Sequence, residues 1–176
     1  MTSHSKSPQA IQYIRYIDEH RKRVALAWNQ IKQVFRDSNA PFISDKDGVQ
    51  KVELLIQTHD GSKYTDAEFE PYRLHWYPAP GEEPNERAYN QAWRHHKMVN
   101  PHHYEYWKGR EFEMSKDWPF LVEMCCDWMS VSRLTGEVPA YEWFQENKEE
   151  ISKYLPGGAI VFLDYVLYKM YTATGV

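Results

Sequence analysis

The sequence has little cysteine and no long uninterrupted apolar run. Its only cysteines, Cys125 and Cys126, are adjacent, and neighbours on a helix point in different directions, which argues against a disulfide between them. The most apolar stretch, residues 159–170, contains Asp164 and Lys169 and is too short to span a bilayer. The first residues show no signal-peptide pattern. These absences predict a cytoplasmic protein without a membrane anchor.

An excess of positive charge is also missing. The formal net charge of the 176-residue chain is −4, whereas proteins that bind duplex nucleic acid do so mainly by neutralising its phosphates. We therefore do not expect duplex nucleic acid as a partner. A small anionic substrate is compatible with this charge, because an acidic protein can still carry a local positive site. The sequence leaves open whether the chain forms a homo-oligomer.

The apolar pattern is helical. Hydrophobic residues make up 42% of the chain, enough for one core in a domain of this length. Three- and four-residue spacing predicts long helices over about 8–37, 49–60, 85–99 and 117–135, followed by shorter ones after Pro139 and Pro156. No β-hairpin signal or internal repeat is present. The sequence predicts one all-α domain, a compact helical bundle over residues 1–176, with residues 1–8 as a disordered tail.

Three segments between these helices carry turn signals. Residues 71–84 contain four prolines and are predicted to be a loop, as are residues 39–48. Thr65–Glu68 fits a capping box at the start of a short helix, which accounts for Glu68 without placing it in a site. Asn100 followed by Pro101 predicts an N-cap and the first turn of a further helix.

Several polar residues fall on the apolar helix faces. His20 lies three residues after Ile17 and four before Val24, and the same spacing turns three more side chains inward: His59, His96 and Asp127. Taken singly, each fits a core histidine bonded to a carbonyl or an aspartate paired with an arginine. Burying all of them is costly unless something pairs with them. A divalent ion accepts both neutral imidazole and carboxylate, so the set together favours a metal site.

The order of these residues resembles a known signature. His20, then His59–Asp60, then Asp127 is similar to the H…HD…D pattern of the HD-domain superfamily, an all-helical group of mainly metal-dependent phosphohydrolases. The run 59–63 resembles the HD-x-x-K form of that pattern. Residues 93–97 and 100–107 resemble a small bacterial and phage branch of HD-like proteins. The resemblance extends from about residue 11 to residue 150.

The resemblance implies a set of metal ligands. His20, His59, Asp60 and Asp127 would bind a primary ion. Members with two ions use two further histidines, for which we take His96 and His103, although His95 and His102 have the same spacing. Mixed nitrogen and oxygen donors suit one or two ions of Mn, Fe, Co, Ni or Zn.

The resemblance also implies an activity, that of a metal-dependent phosphohydrolase acting on a nucleotide or a similar small phosphate ester through a metal-activated water. Asp60, Lys63 and Arg94 would be catalytic, Lys63 on the phosphate oxygens and Arg94 as a phosphate clamp. A solvated Lys63 in the turn after the helix is the alternative for that residue. Five aromatic residues would either stack on a base or pack in the core: Tyr72, Trp76, Tyr104, Tyr106 and Trp107.

Two other functions remain open at this point. The first is a di-iron protein of the HD type that uses dioxygen, since the middle of the chain has enough histidines for two metals. The second is a non-catalytic protein in which the metal only holds helices together, or in which the surface binds a partner. A structural metal site is closed to water, whereas a catalytic one keeps a coordination position open.

Overall fold

The structure is a computed structural model that describes residues 7–36, 38, 40–136 and 138–175, and the side chains of these residues except 133–135. The described residues contain helices and no strand, which confirms the all-α prediction. The α-helices within them are α1 (Pro8–Val34), α2 (Pro41–Ser44), α3 (Lys46–Thr58), α4 (Phe69–Trp76), α5 (Glu86–Val99), α6 (Met114–Thr135), α7 (Ala140–Ile151) and α8 (Gly157–Thr174). Short 3₁₀ turns cover Gly61–Tyr64 and Tyr104–Trp107.

The long helices begin and end where local chemistry predicts. Ser7 caps α1 by accepting a hydrogen bond of 3.1 Å from the Ala10 amide, with Pro8 in the first turn. Of the tail predicted over residues 1–8, residues 1–6 lie outside the described residues. Asn85 caps α5 through the Ala88 amide. Gly136 ends α6 in the left-handed conformation, with φ of 65°, which glycine adopts without steric cost.

Helix α6 lies at the centre of the bundle, in contact with α1, α3, α7 and α8. The main apolar core surrounds it and includes six fully buried side chains: Leu121, Met129, Phe144, Leu163, Leu167 and Met170. Gly48 allows α3 to approach α6 closely, since a Cβ there would lie 2.1 Å from the Trp118 ring. Within the described residues, no helix is both long and apolar enough to cross a membrane.

A smaller apolar cluster lies apart from the main core. It consists of Tyr13, Ile17, Tyr72 and Ala92, contributed by α1, α4 and α5. On α1, His20 follows Ile17 of this small cluster and precedes Val24 of the main core. His20 therefore lies at the junction between the two apolar clusters.

The connecting segments differ from the sequence prediction in three places. Residues 69–76 are helical, so the predicted loop over 71–84 begins later; Pro71 is tolerated because it lies in the first turn of α4, where no helical amide bond is lost. Residues 41–44 form α2 inside the predicted loop 39–48, and α3 already begins at Lys46. Asn100 ends α5 and does not start a further helix, and residues 101–103 form a turn.

Candidate metal centre

The four residues predicted to bind a primary ion converge in the structure. His20 on α1 places its Nε2 3.1 Å from Asp127 Oδ1 on α6 and 3.2 Å from Asp60 Oδ2. The Nε2 of His59 lies 3.2 Å from that of His20 and 3.5 Å from Asp127 Oδ1. Residues far apart in the chain thus direct their donor atoms toward one common point, close enough for a single cation to contact them.

The turn after α3 brings adjacent residues to the same centre. Asp60 has a positive φ of 58°, which no other non-glycine residue shows within the described residues. Aspartate tolerates this left-handed region better than most residues. On a regular helix neighbouring side chains diverge, whereas this turn lets both His59 and Asp60 face inward; each is at most 2% exposed. The unusual backbone conformation therefore serves the site.

A second group of donors meets the other oxygen of Asp60. Its Oδ1 lies 3.2 Å from His96 Nε2 and 3.5 Å from His102 Nε2. His103 joins this group, since His96, His102 and His103 offer ring nitrogens that lie within 4.8 Å of one another. Asp60 consequently lies between two groups of donor atoms, with one carboxylate oxygen toward each.

The second group contains the predicted pair, His96 and His103, together with His102. The two that contact Asp60 are His96 and His102, with His103 beside them. His95 is 42% exposed and donates its Nδ1 proton to Glu68. The turn at 101–103 interrupts the helical periodicity, and spacing therefore could not select between the neighbouring histidines.

Three oxygen acceptors outside the cluster orient its histidines. Glu123 Oε1 lies 2.9 Å from the Nδ1 of His59 and 3.1 Å from that of His102. Glu68 Oε2 lies 2.9 Å from His96 Nδ1, and the hydroxyl of Ser130 lies 3.1 Å from the Nδ1 of His20. An Nδ1–H donated outward leaves the Nε2 lone pair free on the inner side of each ring. This is the usual arrangement of metal-bound histidine in proteins.

Sequence reasoning left Glu68 outside the site and did not single out Glu123. The capping-box interpretation of Glu68 is wrong: its side chain caps no helix and instead accepts hydrogen bonds from Ser62, His95 and His96. Glu123 lies four residues before Asp127 on α6, and residues four apart share a helix face. The inward position assigned to Asp127 was therefore a signal that could have found Glu123.

Unpaired buried atoms test whether an ion fits here. Asp60 Oδ1, His102 Nε2 and Glu123 Oε2 are buried and make no hydrogen bond among the described residues, although Asp60 Oδ1 has an ion-pair contact of 3.2 Å with His96 Nε2. Leaving such atoms unpaired is costly, and each needs an explanation. A cation between Asp60 and the histidines would contact the first two. Imidazole nitrogens together with carboxylate oxygens are donors that suit divalent transition ions. The residues present thus fit a metal site.

The electrostatics of the cluster are those of tightly packed opposite charges. Burial lowers the pKa of His59, but the carboxylates of Asp60, Asp127 and Glu123 outweigh burial and raise it to about 9. Burial raises the pKa of Asp60, whereas Lys63 and His59 hold it well below its usual range. Burial likewise raises the pKa of Glu123, but His102 and His59 bring it to about 2. The carboxylates are therefore ionised and require positive charge beside them.

The two predicted phosphate contacts lie in different environments. Lys63, in the 3₁₀ turn after Asp60, places its Nζ 2.6 Å from Asp60 Oδ2 and is mostly buried. Arg94 is exposed on α5, where its Nε donates to the Asn90 carbonyl of the same helix at 3.3 Å. The structure thus brings Lys63 to the centre and does not bring Arg94 there.

A pocket of about 420 Å³ opens beside the cluster. Asp127 and His103 line it, and its walls include Trp93, Trp128 and Trp143. Of the five aromatic residues proposed for stacking on a base, Tyr104 lines this pocket. Three of the others lie elsewhere: Tyr72 is in the small cluster, Trp107 is in the main core, and Trp76 is 58% exposed. The centre is therefore accessible from an aromatic pocket.

Fold and site together define an all-helical protein with a buried His/Asp cluster that can hold metal. The chain belongs to a family of unknown function, DUF5662, whose family model matches residues 9–159. No curated protein and no solved structure shows a match to this chain.

Proposed function

We propose that this protein is a metal-dependent hydrolase of the HD type that acts on a small phosphate ester at a centre for two divalent ions. The observation that carries the proposal is the shared aspartate. Asp60 Oδ2 belongs to the group formed with His20, His59 and Asp127, and Oδ1 belongs to the group formed with His96 and His102. The resemblance of His20, His59–Asp60 and Asp127 to the H…HD…D signature supports the same assignment.

When bound, the ions would lower the pKa of a water molecule and polarise the phosphoryl group. The protein would hold the ligands in place through Glu68, Glu123 and Ser130, which accept the outer ring protons of the histidines. Lys63 would keep its ammonium group next to Asp60, within reach of a phosphate at the centre. Such a fixed charge stabilises negative charge that develops in the transition state.

The charge balance of the centre also favours an anionic substrate. Two divalent ions would match the four buried or nearly buried carboxylates of Asp60, Glu68, Glu123 and Asp127. The ammonium group of Lys63 would then leave the loaded centre with a positive excess. A phosphate ester is an anion that such a site attracts, even on a protein whose overall charge is negative.

Accessibility favours a catalytic role over a structural one. The side chain of Asp127 is 13% exposed and lines the pocket beside the cluster. A metal that only joins helices is enclosed by protein ligands, whereas a catalytic ion has a side open to substrate. A centre at the base of a pocket corresponds to the second arrangement.

The direct test is phosphate release from a panel of nucleotides and simple phosphate esters, with Mn²⁺, Co²⁺, Ni²⁺ or Mg²⁺ added. We expect turnover with at least one metal, and loss of turnover in Asp60→Ala. Asp47→Ala, an exposed carboxylate on α3, is the matched control and should remain active. Full activity of Asp60→Ala would overturn the proposed mechanism. Absence of turnover with every metal, in protein that binds metal tightly, would overturn the hydrolase function.

A second candidate is favoured by the number of histidines. His20, His59, His96 and His102 all approach the shared Asp60, and nitrogen-rich sites with carboxylates also suit iron. Two irons at this centre would make dioxygen chemistry the alternative function. Iron content after aerobic and anaerobic loading, with oxygen uptake, separates the two. Uptake that depends on iron and on Asp60, without phosphate release, would replace the hydrolase proposal.

A further inference from the structure

The pocket beside the metal centre has walls suited to a flat ring. Three tryptophans line it: Trp93 from α5, Trp128 from α6 and Trp143 from α7. The rings of Trp128 and Trp143 pack with centroids 5.1 Å apart and planes inclined by 54°. Aromatic faces and edges bind planar apolar groups with defined geometry. A volume of about 420 Å³ is sufficient for a ring system of one or two rings.

One charged side chain of the pocket has an unused acceptor. Glu105 lines the pocket beside Tyr104, and its Oε1 accepts a hydrogen bond of 2.9 Å from Lys97. Its Oε2 is buried and has no hydrogen-bond partner among the described residues. An unpaired buried carboxylate oxygen is costly. Because this oxygen is inaccessible to water while the side chain as a whole is 21% exposed, a ligand N–H or O–H group reaches it when the Glu105 side chain turns toward the pocket.

The pocket is continuous with the centre. Asp127 and His103 line the same pocket as the tryptophans. Asp127 Oδ1 lies 3.1 Å from His20 Nε2, and His103 lies beside His96, with ring centroids 4.8 Å apart. A molecule whose ring occupied the pocket could therefore extend a second group to the centre.

We propose that this pocket binds a flat, uncharged ring that carries a hydrogen-bond donor, and that Glu105 selects for the donor. The ring lies among Trp93, Trp128 and Trp143, and its N–H or O–H group donates to Glu105 Oε2. The remainder of the molecule reaches the metal centre. Only the identity of that reacting end, a phosphate ester, rests on the proposed function.

Two small probes test the binding of the ring separately from the hydrogen bond of its donor. Indole and benzofuran have nearly the same size and shape, but only indole has an N–H group. Their dissociation constants are measured by NMR from the indole N–H signals of the protein. We expect both to shift the signals of Trp128 and Trp143, and indole to bind about tenfold more tightly, as for a hydrogen bond to a charged group.

Variants show which residue makes each contribution to probe binding. Glu105→Leu should remove the preference for indole while both probes still bind. Glu105→Gln keeps an acceptor oxygen and should retain part of the preference. Trp143→Ala should weaken the binding of both probes. Trp76→Ala changes an exposed tryptophan outside the pocket and should weaken the binding of neither. Metal content measured on the same samples shows whether the neighbouring centre is intact.

The outcomes distinguish this inference from the proposed function. Failure of both probes to shift Trp128 and Trp143 would overturn the subsite, and equal binding of the two would overturn the role of Glu105. Phosphate release without probe binding would support the hydrolase proposal and reject the ring-binding pocket. Probe binding with the expected preference, in a protein that releases no phosphate, would leave the subsite standing and remove the hydrolase proposal.

Discussion

Two regions of this molecule are equally buried and differ in what stabilises them. Leu163 and Leu167 of the main core are fully inaccessible, and His59 and Asp60 are at most 2% exposed. Removing the leucines from water is itself favourable, by roughly 25 cal/mol per Å² of apolar surface. Removing an imidazole and a carboxylate from water is unfavourable unless they gain partners. Equal burial therefore stabilises the folded protein in the apolar core, whereas in the polar cluster it destabilises the folded protein unless the buried groups have partners.

Helix α6 belongs to both regions. Cys125 and Met129 lie in the main apolar core, whereas Glu123 and Asp127 face the polar cluster. One rigid element thus connects a region that is stable without a ligand to a region that requires protons or metal ions. The comparison predicts that the two regions respond differently to substitution and to metal, and the following experiments test that difference.

The largest effect is expected at Asp60, because it is shared by both ligand groups. Asp60→Ala should release both ions and lower phosphate release by more than roughly 10³-fold, equivalent to about 4 kcal/mol of transition-state stabilisation. Metal analysis of the purified variant and initial-rate assays measure the two effects. Retention of both ions would show that Asp60 is not shared by the two groups, and it would contradict the proposed dependence of the polar region on this residue.

A cavity in the apolar core should affect stability without affecting metal. Leu163→Ala removes a fully buried side chain and should lower the free energy of unfolding by about 2–5 kcal/mol. Urea denaturation measures this loss, and metal analysis of the folded variant should give the wild-type content. A fall in metal content equal to that of Asp60→Ala would mean that the regions are not separable.

Removal of metal should destabilise the polar region, and the effect should depend on pH. A ligand present at 100 times its dissociation constant stabilises the folded protein by about 2.7 kcal/mol, so chelation should lower the melting temperature. In the chelated protein, the neighbouring carboxylates raise the pKa of His59 to about 9 from its ordinary value of 6.5. Its protonation therefore stabilises the fold fully below pH 6.5, and this stability is lost as the pH rises through 9.

Melting curves at several pH values, with and without chelator, measure this effect. The chelated protein should lose stability between about pH 6.5 and 9, whereas the metal-loaded protein should change less because the ions replace the protons. Identical pH dependence in the two states would contradict a metal-binding role for His59.

The outer carboxylates should have smaller and unequal effects. Glu123 contacts one histidine of each ligand group, whereas Glu68 contacts His96 of the second group and the exposed His95. Glu123→Gln should weaken the binding of both ions by roughly 10–100-fold, and Glu68→Gln should weaken the binding of one ion. Competition with a chromophoric chelator gives the affinities, with the exposed Glu146→Gln as control. Equal effects on both ions from Glu68→Gln would show that the groups are not organised as described.

The smallest effect is expected at Arg94. Because its described contact is with its own helix, Arg94→Ala should change phosphate release by less than about twofold, as for an ordinary surface substitution. Lys63→Met should lower the rate much more, since Lys63 contacts Asp60. A large loss in Arg94→Ala, measured under saturating substrate, would restore the phosphate-clamp role that the sequence suggested.

The inward position of His20, His59 and Asp127 could be predicted because it depends on local periodicity. His20 and Asp127 lie within long helices whose apolar neighbours define an inward face, and His59 continues the face of α3. The choice among His95, His96, His102 and His103 could not be predicted, since it depends on a turn after Pro101 that breaks the helical register. Glu68 was misassigned because a capping pattern and a buried acceptor have the same local sequence.

The sequence by itself determined the helical class, the main helices and the inward direction of His20, His59 and Asp127, because these follow from spacing along single helices. Only the tertiary structure decided that Asp60 lies between two groups of donor atoms, that Glu123 contacts two histidines, and that three tryptophans line one pocket. Each of these depends on distances between separate helices. Such distances arise from packing around α6, and the spacing of residues along one helix does not contain them.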